Sequence, residues 1–186
     1  RDSYFYGAQG SSESYGVDGV SSGDVLVENN ICQHIATCMI NEGNSGWVFG
    51  YNFVIDNYYT AGGSAPDWQQ ADSYHHSVGD HMILWEGNSA IAFTADAIHG
   101  SSFMLTYFRN YYNGRDPNGG GTKTTNTIAA QIMSWNRYLN LVGNVLGTQN
   151  YHTVYTTSST GTSDSSSNGS KSVFVFGYSG GAGTNY

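Results

Sequence analysis

A seven-residue block recurs along the chain as VLVENNI (25–31), WVFGYNF (47–53), ILWEGNS (83–89), LTYFRNY (105–111) and LNLVGNV (139–145), each with asparagine at its sixth position. Asn30, Asn52, Asn88, Asn110 and Asn144 are therefore spaced by 22, 36, 22 and 34 residues. The longer gaps read as the shorter period plus an insertion. One insertion lies near 58–70 and the other, Gly-rich, near 113–126. A period of about 22 residues, filled with β-branched and aromatic side chains and lacking helical spacing, predicts a solenoid of stacked strands. A leucine-rich repeat has a similar length, but its leucine pattern is missing.

Each unit holds a second strand-like block: YGVDGV (15–20), ATCMIN (36–41), ADSYHH (71–76), ADAIHG (95–100) and AAQIMS (129–134). Two or three strands per coil follow. Stacked coils bring equivalent side chains to about 4.8 Å spacing, so the asparagines predict a ladder, and Val17, Met39, Tyr74, Ile98 and Ile132 predict an inward apolar column. Asparagine suits a bend because it tolerates left-handed backbone and its amide can bond both neighbours and turn backbone. A weaker sixth copy, VFVFGYS (173–179), has Ser179 near the asparagine position. The expected organisation is coils over 1–155, with a Ser/Thr/Gly-rich loop and a further coil strand within 156–186. Arg1 and the tail SGGAGTNY do not look like end caps, which suits a stretch of a longer protein.

Composition agrees with short strands and turns: 25 Gly, only 2 Pro and 11% charged residues. With six Lys and Arg against fourteen Asp and Glu, the net charge of −8 removes the basic footprint of nucleic-acid binding. An anionic polymer would need a local arginine or a bridging cation, whereas a neutral glycan meets no such repulsion. No apolar run reaches the ~20 residues of a membrane span. Cys32 and Cys38 are too far apart for a C-x-x-C motif, which leaves a local disulfide or two buried thiols. Few lysines, many hydroxyl side chains and this cysteine pair point to an extracellular or cell-surface location.

The repeat resembles the pectate-lyase-like superfamily of right-handed parallel β-helices over roughly residues 1–155. The resemblance implies an all-β solenoid of about six coils and extracellular glycan chemistry. It extends to the fold alone. The clustered aspartates with an Arg or Lys base of the calcium-dependent lyases, and the compact aspartates of the hydrolases, have no counterpart here.

Aligning ADSYH with ADAIH pairs Asp72 with Asp96 and His75 with His99, with His76, Asp80 and His81 nearby. Two carboxylates one rung apart would split their pKa values for acid/base work, and the histidines could serve as bases. No resident cofactor is called for, although the same atoms would suit a divalent cation. The alternative is structural, with the aspartates bonding turn amides. Glu86 and Arg109 are placed for an inter-coil salt bridge, or Arg109 for a sugar carboxylate. Tyr59, Trp68 and Tyr112, on or beside the insertions with Tyr58, Tyr111, Arg115 and Asp116, are placed either to wall a groove or to pack the loops.

These features predict an extracellular polysaccharide-binding or polysaccharide-processing β-helix, with Asp72, His75, Asp96 and His99 as catalytic candidates and Arg109, Tyr59, Trp68 and Tyr112 as substrate contacts. The competing expectation is a structural or adhesive β-helix that self-assembles through open solenoid ends.

Overall fold

The computed structural model describes residues 1–7, 14–59, 68–116, 123–158 and 171–177, and within them the chain is all-β, with no helix. After β1 (Tyr4–Tyr6) the strands come in threes: β2 (Tyr15–Val20), β3 (Leu26–Glu28) and β4 (Ile31–Gln33), then β5 (Thr37–Glu42), β6 (Val48–Gly50) and β7 (Phe53–Ile55). Three more triples follow: β8 (Ser73–His75), β9 (Leu84–Glu86) and β10 (Ser89–Ala90); β11 (Phe93–Ala95), β12 (Thr106–Phe108) and β13 (Tyr111–Tyr112); β14 (Ala130–Ile132), β15 (Asn140–Val142) and β16 (Val145–Leu146). The chain ends its described strands with β17 (Val154–Ser158) and β18 (Ser172–Phe176).

Members of a triple enter different sheets, in rotation. The first sheet runs β1-β4-β7-β10-β13-β16, the second β17-β18-β14-β11-β8-β5-β2 and the third β15-β12-β9-β6-β3. All pairings between these strands are parallel, an arrangement compatible with a parallel β-helix. The rotation breaks once. Strand β18 lies directly on β14 and pushes β17 to the sheet edge. Its VFVF core suits the covered position, with Val175 fully buried, whereas Val154 and Tyr155 of β17 are exposed. Ser179 and much of the two insertions lie outside the described residues.

The asparagine ladder forms as the spacing predicts. The Asn52 Oδ1 accepts from the Asn30 backbone N–H at 3.0 Å and from its Nδ2 at 2.9 Å, and the same pair of bonds links Asn52 to Asn88, Asn88 to Asn110 and Asn110 to Asn144. Each Nδ2 from Asn52 onward also donates to a carbonyl one coil back, as Asn88 does to Phe49 O at 2.8 Å. Ser3 begins the column by donating its N–H to Asn30 Oδ1. The left-handed residue is not the asparagine but the one before it, Asn29, Tyr51, Gly87, Arg109 and Gly143, as Asp2 is before Ser3. Asparagine is needed here for its amide, which closes buried backbone valences at the bend.

Inside, the third sheet contributes the in-register column Val27, Phe49, Trp85, Tyr107 and Leu141. Phe49 and Trp85 stack at 4.0 Å, and Phe93 of the second sheet covers Tyr107 at 4.0 Å. Each fully buried large ring contributes about 2–3 kcal/mol, making this column the main apolar stabiliser. The predicted second-sheet column needs correction. Val17 and Met39 do pair, but the next partners are Ser73, Phe93 and Ala130, not Tyr74, Ile98 and Ile132. The two A-D-x-x-H segments are 24 residues apart, while β8 and β11 pair with an offset of 20, so matching the motifs slips the register by four. Of the two alternatives for the cysteines, the disulfide is the one formed. Cys32 in β4 and Cys38 in β5 are bonded across the bend, with Cα atoms 5.9 Å apart and both residues buried.

Candidate functional site

The register correction separates Asp72 from Asp96. Asp72 immediately precedes β8 and lies beside Ala92, whereas Asp96 immediately follows β11 and lies beside His76; four residues of strand, roughly 13 Å, keep the carboxylates apart. They are not a coupled pair. Asp72 is fully buried and accepts from Asn57 Nδ2 at 3.0 Å, from the Ile91 N–H at 3.2 Å and from the Cys38 backbone. Burial pushes its carboxyl up to about 7, against the pull of these donors and with a further push from Asp116. Asp116 in turn accepts from the Asn57 N–H at 2.6 Å. Asp72 thus joins three chain segments at a bend, which is a structural role.

His75 also faces inward. Its Nδ1 meets Asp80 Oδ2 at 2.8 Å and its Nε2 meets the Trp85 indole N–H at 2.9 Å. Indole nitrogen can only donate, so His75 Nε2 accepts and the proton resides on Nδ1, directed at Asp80. Both ring nitrogens are occupied inside the core, which removes His75 as a base for an external substrate.

The polar group that reaches the surface is built around Asp96 and His76. The buried Asp96 receives the Tyr74 hydroxyl at 2.8 Å and His76 Nδ1 at 2.5 Å on Oδ2, and the Ile98 N–H at 3.2 Å on Oδ1. Tyr74 is held protonated, its pKa raised by burial and by the Asp96 charge, so it acts as a donor. His76 is partly exposed and meets His99 edge to face at 4.7 Å. Asp18, desolvated on β2 so that its pKa rises, is drawn back down by His76. Among the described residues no three His, Cys, Asp or Glu side chains converge to hold a metal ion.

The four expected substrate contacts do not converge. Tyr112 is fully buried, donating its hydroxyl to Ser73 Oγ at 3.1 Å. Arg109 occupies a left-handed bend and lies over the Phe108 ring at 4.9 Å. Glu86 instead accepts from the Tyr51 hydroxyl at 3.0 Å, and among the described residues no Glu86–Arg109 ion pair forms. Trp68 bonds Gln70 and pairs with Thr125, so the described ends of the two insertions dock on each other, helped by Lys123 Nζ on Trp68 O at 2.8 Å. Tyr59 is partly buried, and burial raises its pKa. Loop packing accounts for Trp68, and packing in the core of the coils for Tyr112.

A second polar ladder eight residues ahead of the first was not anticipated. Ser22, Asn44, Asp80, Ser102 and Asn136 occupy this bend, with Ser22 N–H on Asn44 Oδ1, Asn44 N–H on Asp80 Oδ1 and Ser102 N–H on Asn136 Oδ1. The constant offset of eight from the recognised asparagines was the available signal. Outside this bend lie two adjoining depressions. One of ≈ 310 Å³ is lined by Ser101, Ser102, Phe103, Trp135, Arg137 and Tyr138, and the other of ≈ 290 Å³ by Val78, Ala97, His99, Gly100, Ser101 and Trp135. They share Ser101 and Trp135, and His99 connects them to the Asp96–His76 group. No family model, no curated protein and no solved structure matches the chain.

Proposed function

We propose that the chain is an extracellular, polysaccharide-binding, right-handed parallel β-helix of about six coils, similar in fold to the pectate-lyase-like superfamily. Its glycan site is the double depression between His99 and Tyr138. The rotation of strands through three parallel sheets supports the fold, and right-handedness follows the strong rule for parallel crossovers. The Cys32–Cys38 bond supports an oxidising compartment. Trp135 carries the functional reading: it is half-exposed and common to both depressions, where an indole face can stack on a sugar ring while serine, histidine and arginine side chains meet hydroxyls. Beside it, a histidine tied to a buried carboxylate would give the site a general base, which extends the reading to glycan processing.

The test is affinity electrophoresis across a panel of neutral and acidic polysaccharides. At least one should retard the protein, and Trp135→Ala should weaken that interaction about tenfold. Lack of retardation by every member would dismiss the reading. An Asp96→Asn variant that keeps binding but loses turnover would mark the site as catalytic.

An adhesive or structural role has its own support. Tyr4, Ile31, Phe53, Tyr111 and Val145 form an in-register, exposed column on the first sheet, broken only by Ser89. Such an apolar strip is a contact surface in an assembly.

A further inference from the structure

The second ladder is flanked by two columns of left-handed backbone. Ahead of it stand Ser21, Gly43, Gly79 and Trp135; two residues after it stand Asp24, Gly46, Met82, Met104 and Tyr138. Left-handed backbone favours Gly, Asn and Asp, as Gly43, Gly79, Asp24 and Gly46 provide, and costs most for bulky side chains. The later coils break that rule four times, with Met82 at φ 54°, Met104 at 54°, Tyr138 at 59° and Trp135 at 72°. These residues are not strained in order to fill the core. Their exposures are 64%, 46%, 71% and 51%. Strain retained at exposed positions, repeated in successive coils, points to a surface feature with a use.

Resting on the proposed glycan-binding role, we infer that this strip holds a neutral glycan chain lying across successive coils, from Met82 past Phe103 and Met104 to Trp135 and Tyr138, with one sugar ring in each depression. Phe103 continues the strip by stacking on His81 at 5.2 Å with rings 4° from parallel. Apolar pyranose faces match the exposed Trp, Tyr and Met surfaces. Their hydroxyls match Ser101 and His99. Charge selects the neutral class. The one arginine that lines them lies over the Trp135 ring at 5.8 Å, and the net charge of −8 repels a polyanion.

Two properties separate this binding mode from glycan binding in general. Affinity for a mono- to tetrasaccharide series, cut from whichever neutral polysaccharide binds and measured by calorimetry, should rise with length. Trp135→Gly should weaken every oligomer about tenfold, whereas Met82→Gly should weaken only the longer ones. Both variants should melt at or above the wild-type temperature, because glycine relieves the left-handed strain. Affinity that does not grow beyond the monosaccharide, or Met82→Gly without effect on any length, would overturn the along-axis strip. Binding restricted to acidic glycans would overturn the neutral class, with the glycan-binding role left standing. If no glycan of either kind binds, that role itself falls.

Discussion

Asn88 shows how much one amide can carry. It accepts two bonds from Asn52 and donates from its backbone and side chain to Asn110, with a further Nδ2 bond to Phe49 O. Asn88→Leu would remove the acceptor of the Asn52 backbone N–H, one of the two bonds of the Asn52 Nδ2 and a donor to the Phe49 carbonyl, and a loss of about 3 kcal/mol in denaturant unfolding is expected. Asp72 carries a pH signature instead. Its folded carboxyl titrates near 7, well above its ordinary 3.8, so the folded state holds this proton more tightly than the unfolded state. The stabilising contribution is complete below about 3.8 and is lost as pH rises towards 7. The melting temperature of Asp72→Asn should therefore fall less than that of the wild type between pH 5 and pH 7.5. Parallel curves for the two proteins would show that Asp72 is not the titrating group.

At the scale of elements, short strands depend on what closes their ends. Strands β4 and β5 are tied by Cys32–Cys38, a closed loop of few residues whose reduction should cost about 2 kcal/mol, seen as a lower denaturation midpoint in reductant. The β8–β9 connection rests on Asp80–His75–Trp85. His75→Phe would leave a buried carboxylate and an indole N–H without their partner, at a cost of about 3–5 kcal/mol. The ladder spacing was legible because every third-to-first sheet bend needs the same amide. The second sheet was not, because three-residue strands such as β8 and β11 offer too little pattern to fix register, and the repeated A-D-x-x-H drew the alignment four residues away. The same slip produced the carboxylate pair that the fold does not contain.

Over the whole molecule, two exposed surfaces stand apart: the aromatic strip beside the second ladder and the apolar column of the first sheet. If the column mediates assembly, sedimentation velocity should show concentration-dependent association that Phe53→Lys abolishes while glycan binding persists. A monomer at all concentrations would assign the column no such part.

The sequence by itself determined the all-β repeat, its 22-residue period and the first asparagine column, because a bend that recurs in every coil imposes one polar side chain at one spacing. It also brought Cys32 and Cys38 to a common bend. Only the tertiary structure decided which face each strand residue takes, since a strand alternates every residue and a slip of register relocates whole columns. That decision buried His75 and Tyr112, separated Asp72 from Asp96, and joined Asp96 to His76. It also raised Trp135 at a bend where other coils carry glycine or serine, a residue whose significance is visible only once its neighbours across the coils are known.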